Sequence, residues 1–351
     1  MNKEIVLNET KVGRNHPAYI IAEISGNHGG DISKAIEIIK EAKECGVNAI
    51  KLQTYTADTI TIDSDKEDFI IPKNNPWEDN ATLYSLYKEA YTPWEWHEEL
   101  FEEAKKSKID IFSSPFDSTA INLLEDLNVK FYKIASPEIF DIGLIKLVAE
   151  TKKPVIISTG LADRNDIELA LETLKQNGCE DIILLKCTTA YPAPFNEVNL
   201  RTMMDYEENF NVLSGLSDHS LGTEVPIAAA ALGASVIEKH FVLKGDETVD
   251  SFFSLSPEEF KEMITKIRNV EKSLGKIKYE VSNEASKNLW ARRSLYFIKN
   301  LKKGEKIKGS YKSIRPGFGL HPKHFDSIEN YIAGKDIEIG DRVDWDSIIE
   351  K

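Results

Sequence analysis

Two lysines, a set of serines and two histidines are spaced in this sequence so that they could hold an anion beside a divalent metal ion. Lys51 and Gln53 are two residues apart, as are Glu238 and His240. In an extended strand such pairs share one face. Lys133 stands inside the apolar run VKFYKIAS, where an unpaired ammonium would be costly. A bound anion would supply its partner. With Lys51, Ser114, Ser136 and Ser158, Lys133 would form a cradle of point charges and hydroxyl donors suited to phosphate and carboxylate. The plain alternative for any one strand lysine is a salt bridge. His219 and His240 could reach one divalent ion and leave positions open for water and substrate. Two histidines alone are a weak metal signal, because structural histidines are commoner. With no cysteine-rich site, Mn²⁺ or Mg²⁺ fits better than structural zinc.

The elements that must position these groups are β-rich runs alternating with amphipathic helices from about Ala18 to Leu274. The runs are 18–25, 47–53, 109–114, 129–136, 153–159, 181–188, 211–217 and 235–241. Several are near-continuous Ile, Val and Leu, as in strands buried on both faces. Helices are predicted over 32–45, 163–176 and 257–274, with Gly46, Gly178 and Gly275 at cap positions. Eight strand–helix units predict a (β/α)8 TIM barrel over residues 1–275, in preference to an open doubly wound sheet. The active site of such a barrel lies at the C-terminal ends of its strands. All eight runs end in polar residues, among them Glu23, Lys51, Ser114, Glu138, Ser158, Thr189, Tyr191, Ser217, His219 and Glu238. A polar stretch, 276–287, reads as a linker. Residues 288–351 then form a small β-rich domain with a thin core.

The chain has 351 residues, 41% of them hydrophobic and 29% charged, which is an ordinary globular composition. No apolar run approaches the ~20 residues of a membrane span, and the first residues lack the order of a signal peptide. A cytoplasmic protein is expected. The formal charge of −14 disfavours nucleic acid and anionic membranes as partners. Any anion site must therefore be built locally. Cys45, Cys179 and Cys187 fit reduced thiols. Trp94 and Trp96 read as packing residues, and His16 and His97 as structural or exposed. The segment 64–69 reads as a solvated loop or a lid.

The motifs IAEISGNHGGD, AIKLQTYT, FSSPFD, YKIASPE, ISTGLA, LKCTTAYP, GLSDHS, ALGASVIEKHF and RPGFG resemble the sialic acid synthase family along nearly the whole chain. GLSDHS followed by VIEKHF is the most specific combination. The tail from about Asn288 resembles that family's antifreeze-like (SAF) domain. SDKEDFII, TPWEWH, DSFFSL and RPGFGLHPK carry a closer match to the branch whose acceptor is a 2,4-diacetamido-2,4,6-trideoxy sugar.

The resemblance implies condensation of phosphoenolpyruvate with an amino-sugar aldehyde. Lys51, Ser114, Ser136 and Ser158 would hold the phosphate, and Lys133 and Ser217 the carboxylate. His219 and His240 would bind the metal, and Gln53, Thr189, Tyr191 and Asp250 would face the sugar. Glu23 would stabilise a cationic centre or guide water, while Glu138 and Glu238 would handle water protons. The resemblance also implies a homodimer in which the SAF domain caps the partner barrel and Arg315 reaches the sugar's N-acyl group.

Thr189 stands where N-acetylneuraminate synthases carry Asn, and VDSFF (249–253) replaces a Gly-Pro-Asp-His type segment. Both departures favour the deoxy sugar. Phe252 and Phe253 could wall its carbon 6, or be core residues. Rival readings are an N-acetylneuraminate or legionaminic acid synthase, an aldolase with a Schiff base on Lys133 or Lys186, and a sugar- or ice-binding protein.

Overall fold

Runs of Ile, Val and Leu that can be satisfied only by burial on both faces become eight parallel strands. The computed structural model describes residues 4–73 and 75–351. An antiparallel hairpin comes first, β1 (Ile5–Leu7) and β2 (Thr10–Val12). The barrel strands are β3 (Tyr19–Glu23), β4 (Ala49–Thr54), β5 (Asp110–Pro115), β6 (Tyr132–Ile134), β7 (Val155–Ser158), β8 (Ile182–Cys187), β9 (Leu213–Asp218) and β10 (Val236–His240). Their ladder runs β5-β4-β3-β10-β9-β8-β7-β6, and β6 packs back beside β5 to close the ring.

The helices are α1 (Ile32–Cys45), α2 (Ala57–Ile60), α3 (Leu83–Ala90), α4 (His97–Ser107), α5 (Ser118–Asp126), α6 (Ile142–Glu150), α7 (Arg164–Gln176), α8 (Thr202–Phe210), α9 (Glu224–Ala231) and α10 (Pro257–Leu274). Aspartates start several of them. Asp31, Asp117, Asp141 and Asp163 each accept a hydrogen bond from a first-turn backbone N–H, satisfying a donor that the helix itself leaves unpaired. Gly46 ends α1 at φ 90° and donates to Ala42 and Lys43, a left-handed cap that glycine adopts without steric cost.

Strand alternation decides what each residue does. Outward-facing Ile20, Ala22, Ile50 and Leu52 pack in one helix–sheet core, and Tyr132, Ile134, Val155 and Ile157 in another. Inward-facing Tyr19, Ile21, Ala49, Phe112, Phe131, Ile156, Leu185 and Val236 fill the barrel and pack with Ile5, Leu7 and Val12. The hairpin therefore stoppers the end of the barrel away from the strands' C-termini. One step further along the same inward rows lie Glu23, Lys51, Ser114, Lys133, Ser158, Cys187, Ser217 and Glu238. The apolar plug thus gives way to a polar layer.

Three features differ from the sequence reading. The β1–β2 hairpin leaves no mark in the sequence pattern, because three-residue strands carry too little periodicity. The fourth barrel strand spans only Tyr132–Ile134, since Pro137 opens a 3-10 turn over Pro137–Phe140. Residues 64–69 are mostly exposed and hold one 3-10 turn, Glu67–Phe69. The stretch on either side of that turn, from Tyr55 to Ala90, is what leans over the strand ends.

The chain divides into two compact units, Met1–Gly275 and Lys276–Lys351. The second begins with exposed residues that include α11 (Asn283–Ser286). It pairs β11 (Ser294–Phe297) with β12 (Tyr311–Ile314), and β13 (Ile332–Ala333) with β14 (Ile348–Ile349). Leu295, Phe297, Ile307, Ile328 and Val343 form its small core. Among the described residues no helix is long and apolar enough to cross a membrane.

Candidate active site

The strand ends open into a cavity of about 530 Å³. Lys51 stands at its base between two carboxylates. It ion-pairs with Glu23, and Glu238 Oε1 is 3.6 Å away. Register explains the arrangement, because Glu23 lies opposite Lys51 on β4 and opposite His240 on β10. Ser217 Oγ donates to Glu238 Oε1 at 3.1 Å.

The two carboxyls are tuned apart. Burial, reinforced by Glu238, raises Glu23 against the pull of Lys51. Burial would raise Glu238 too, but Lys133 and Lys51 outweigh it and hold that carboxyl below its ordinary value. Glu138 is pushed up to about 7, chiefly by burial.

Lys133 is fully buried and donates to the Ile134 carbonyl at 3.0 Å. Burial lowers its pKa, and Glu238 offsets this in part. Ser114 Oγ and Ser158 Oγ are buried with no hydrogen-bond partner among the described residues. An unpaired buried hydroxyl costs about 1–3 kcal/mol, and two of them with Lys133 are groups that could hold an anionic ligand. Ser136 Oγ accepts from Gly160 N–H at 3.0 Å and hydrogen-bonds the Cys187 side chain.

On the rim, Gln53 Nε2 donates to Glu23 Oε1 at 2.9 Å and to Ser25 Oγ at 3.2 Å. Ser25 Oγ donates to Asp250 Oδ2 at 2.5 Å. Ser25 adopts φ 49°, a left-handed conformation unfavourable for a residue with a Cβ. In that conformation its N–H meets Glu23 at 3.0 Å. Tyr191 lies 4.4 Å from His219, ring to ring, and Thr189 lines the same cavity.

His219 and His240 face one another edge-on, with ring centroids 5.4 Å apart. His219 Nδ1 is 3.0 Å from the Thr188 carbonyl. A carbonyl can only accept, so a hydrogen sits on Nδ1, and the neutral ring then has its lone pair on Nε2. His240 Nδ1 is buried with no hydrogen-bond partner among the described residues. Burial above all keeps His240 neutral, the form that ligates metals, whereas at His219 burial is outweighed by Cys187, which raises its pKa. No cluster of three or more His, Cys, Asp or Glu side chains among the described residues is placed to hold a metal. The pair fits an ion whose remaining positions are taken by water and substrate.

Nearly all the residues singled out from sequence in the barrel meet here. Arg315 belongs to the second unit, in the exposed loop after β12. Phe253 does not wall the cavity. It is buried behind it, 4.6 Å from the His240 ring, and Phe252 is 43% exposed. The apolar wall comes instead from the Tyr55–Ala90 stretch, through Ile71, Trp77, Leu86 and Tyr87. Trp77 is fixed by its indole N–H, which donates to the Val249 carbonyl at 2.8 Å, and by Tyr191, 5.2 Å from it ring to ring.

Cys187 also lines the cavity. Gly160 matters because a Cβ there would stand 2.1 Å from Thr189 Oγ1, 2.9 Å from Ser136 Oγ and 3.0 Å from Cys187 Sγ. Strand parity could have pointed to Cys187. Trp77 sits in irregular chain that has no period to read. Polar strand-end residues of the other parity face away: Ser113 bonds Thr54, Thr159 bonds Tyr206, and Lys186 borders a groove between α7 and α8. His97 bonds Thr54 and His16 bonds Glu4, both structural roles.

An eight-stranded barrel with this mouth defines a class, and the chain belongs to it. It matches the NeuB family over residues 38–279, the sialic acid synthase family. Its relatives narrow the class. The chain is 47% identical to the pseudaminic acid synthase of Campylobacter jejuni, over 92% of its own length and 94% of that protein. It is 42% identical to the pseudaminic acid synthase of Helicobacter pylori, over 95% and 98%. Among solved structures, the N-acetylneuraminic acid synthetase of Leptospira borgpetersenii superposes with a TM-score of 0.71 at 33% identity, covering 82% of this chain and 96% of that one.

Proposed function

We propose that the chain condenses phosphoenolpyruvate with 2,4-diacetamido-2,4,6-trideoxy-altrose and water to give pseudaminic acid and phosphate. The observation that carries this reading is the anion cradle of Lys133, Ser114 and Ser158 beside the His219–His240 pair, in a chain 47% identical to a protein named for that synthesis. Lys51, Ser114, Ser136 and Ser158 hold the phosphate. Lys133 holds the carboxylate, and Ser217 assists by turning its hydroxyl from Glu238. His219 and His240 would hold Mn²⁺ or Mg²⁺, which would supply Lewis acidity for polarising the sugar aldehyde.

Carbon 3 of phosphoenolpyruvate forms the new C–C bond to the aldehyde carbon, and carbon 2 becomes oxocarbenium-like. Water adds to carbon 2, and the C–O bond to phosphate then breaks. Glu23 lies beside the base of the cavity, where it stabilises the cationic carbon. Glu138 and Glu238 take a proton from the water and return one to the aldehyde oxygen, which becomes the new hydroxyl. Gln53, Thr189, Tyr191 and Asp250 orient the sugar. The wall of Ile71, Trp77 and Leu86 suits the methyl at carbon 6 and the acetamido methyls. The second unit is an antifreeze-like SAF domain in this reading, and the family resemblance supports a homodimer in which Arg315 binds the N-acyl group.

Phosphate release from phosphoenolpyruvate tests the proposal, with Mn²⁺ or EDTA and with the diacetamido-altrose or N-acetylmannosamine offered in parallel. Metal-dependent release with the deoxy sugar is expected. Faster release with N-acetylmannosamine would move the chain to the neuraminic branch, and no release with any amino sugar would remove the catalytic reading.

A further inference from the structure

We infer that Asp218 and Lys239, on the outer side of the barrel wall, are positioning residues for the His219–His240 pair; the inference rests on the reading of those histidines as metal ligands. Asp218 and Lys239 are cross-strand neighbours in the β9–β10 register. Each immediately precedes one of the two histidines. Because side chains alternate along a strand, the histidines point into the cavity while Asp218 and Lys239 point out of it. Lys239 Nζ lies 2.5 Å from Asp218 Oδ2, and the two side chains are 0% and 1% exposed.

The pair also grips the chain beyond His219. Lys239 Nζ donates to the Ser220 carbonyl at 2.6 Å. Asp218 Oδ1 accepts from Ser220 N–H at 3.0 Å and from Ser220 Oγ at 2.7 Å. His219 is thus bracketed by two residues tied to one buried charge pair, and its own carbonyl accepts from Ala193 N–H at 2.9 Å. The backbone on both sides of the imidazole is fixed, and the fixing group is bonded to the strand that carries the second imidazole.

Stability alone does not explain such a pair. Replacing a buried ion pair by apolar side chains of similar volume is often neutral or stabilising. What apolar residues cannot reproduce is the set of directional bonds to Ser220. Metal ligands need a fixed separation and orientation, and supporting shells lower affinity about 10–100-fold when lost.

The test is Mn²⁺ titration by calorimetry, without substrates, on the full chain and on Asp218→Leu/Lys239→Met. The double variant is expected to keep its melting temperature within a few degrees and to bind Mn²⁺ at least tenfold more weakly, with kcat falling more than the KM for phosphoenolpyruvate changes. Native Mn²⁺ affinity in the folded double variant overturns the inference. Should that variant fail to fold, Asp218→Asn keeps the Ser220 acceptor and removes the charge pair. It is expected to bind Mn²⁺ at least threefold more weakly, and unchanged affinity there overturns the inference equally. His219→Ala/His240→Ala separates the two readings. If the unaltered chain binds Mn²⁺ no better than this variant, the metal reading itself fails. If it binds better and the Asp218–Lys239 variants match it, only the positioning role fails.

Discussion

Glu138, a half-buried side chain, would tie catalysis to stability. Burial holds its carboxyl protonated up to about 7, against 4.5 for the ordinary group. The folded state therefore binds a proton across that window which the unfolded state has released. Stability falls as pH rises from 4.5 towards 7, and the full penalty is present above 7. Glu138→Gln is thus expected to stabilise the substrate-free protein at pH 8, by about 2 kcal/mol, read as a higher melting temperature. The same change should lower kcat about 10²-fold or more. It should also abolish a rise of kcat/KM through pH 7 that is expected of the unaltered protein as the carboxylate forms. An unchanged pH profile would remove Glu138 from proton handling. Glu238, held ionised by Lys133 and Lys51, should contribute no limb near neutrality.

At the scale of elements, the Tyr55–Ala90 excursion supplies the apolar wall of the cavity, and under the proposed function it would select the acceptor. Trp77 anchors it to the 249–253 segment through the Val249 carbonyl and stacks edge-on to Tyr191. Trp77→Ala should raise the KM of the deoxy sugar about tenfold or more while leaving that of phosphoenolpyruvate within twofold. It should also narrow the preference over N-acetylmannosamine. Equal loss for both sugars would show that the wall does not read carbon 6. This excursion was the least legible part of the sequence. Its placement depends on tertiary contacts between irregular segments, whereas Lys51 with Gln53, or Glu238 with His240, could be paired from a two-residue spacing. Parity also limits what spacing conveys. All eight strand ends are polar, yet Ser113, Thr159, Lys186, Asp218 and Lys239 serve the outer layer. Only register and packing distinguish the two sets, since a shift of one residue reverses every side chain.

For the whole molecule, the barrel order was readable because eight buried strands and capped helices repeat regularly. The β1–β2 hairpin was not, although it has a consequence for kinetics. By filling one end of the barrel it leaves the chamber, among the described residues, open at the other end. Lys133, Ser114 and Ser158 lie at its floor, at most 1% exposed, while Gln53 and Thr189 are half-buried nearer the opening. Traffic through a chamber open at one end is last in, first out. Under the proposed function, phosphoenolpyruvate is expected to enter before the sugar, and phosphate to leave after the nine-carbon acid. An unreactive sugar analogue should therefore inhibit uncompetitively against phosphoenolpyruvate, and phosphate should compete with phosphoenolpyruvate. Competitive inhibition by the sugar analogue against phosphoenolpyruvate would mean that a sugar seated first blocks the floor, and that the queue has no fixed order.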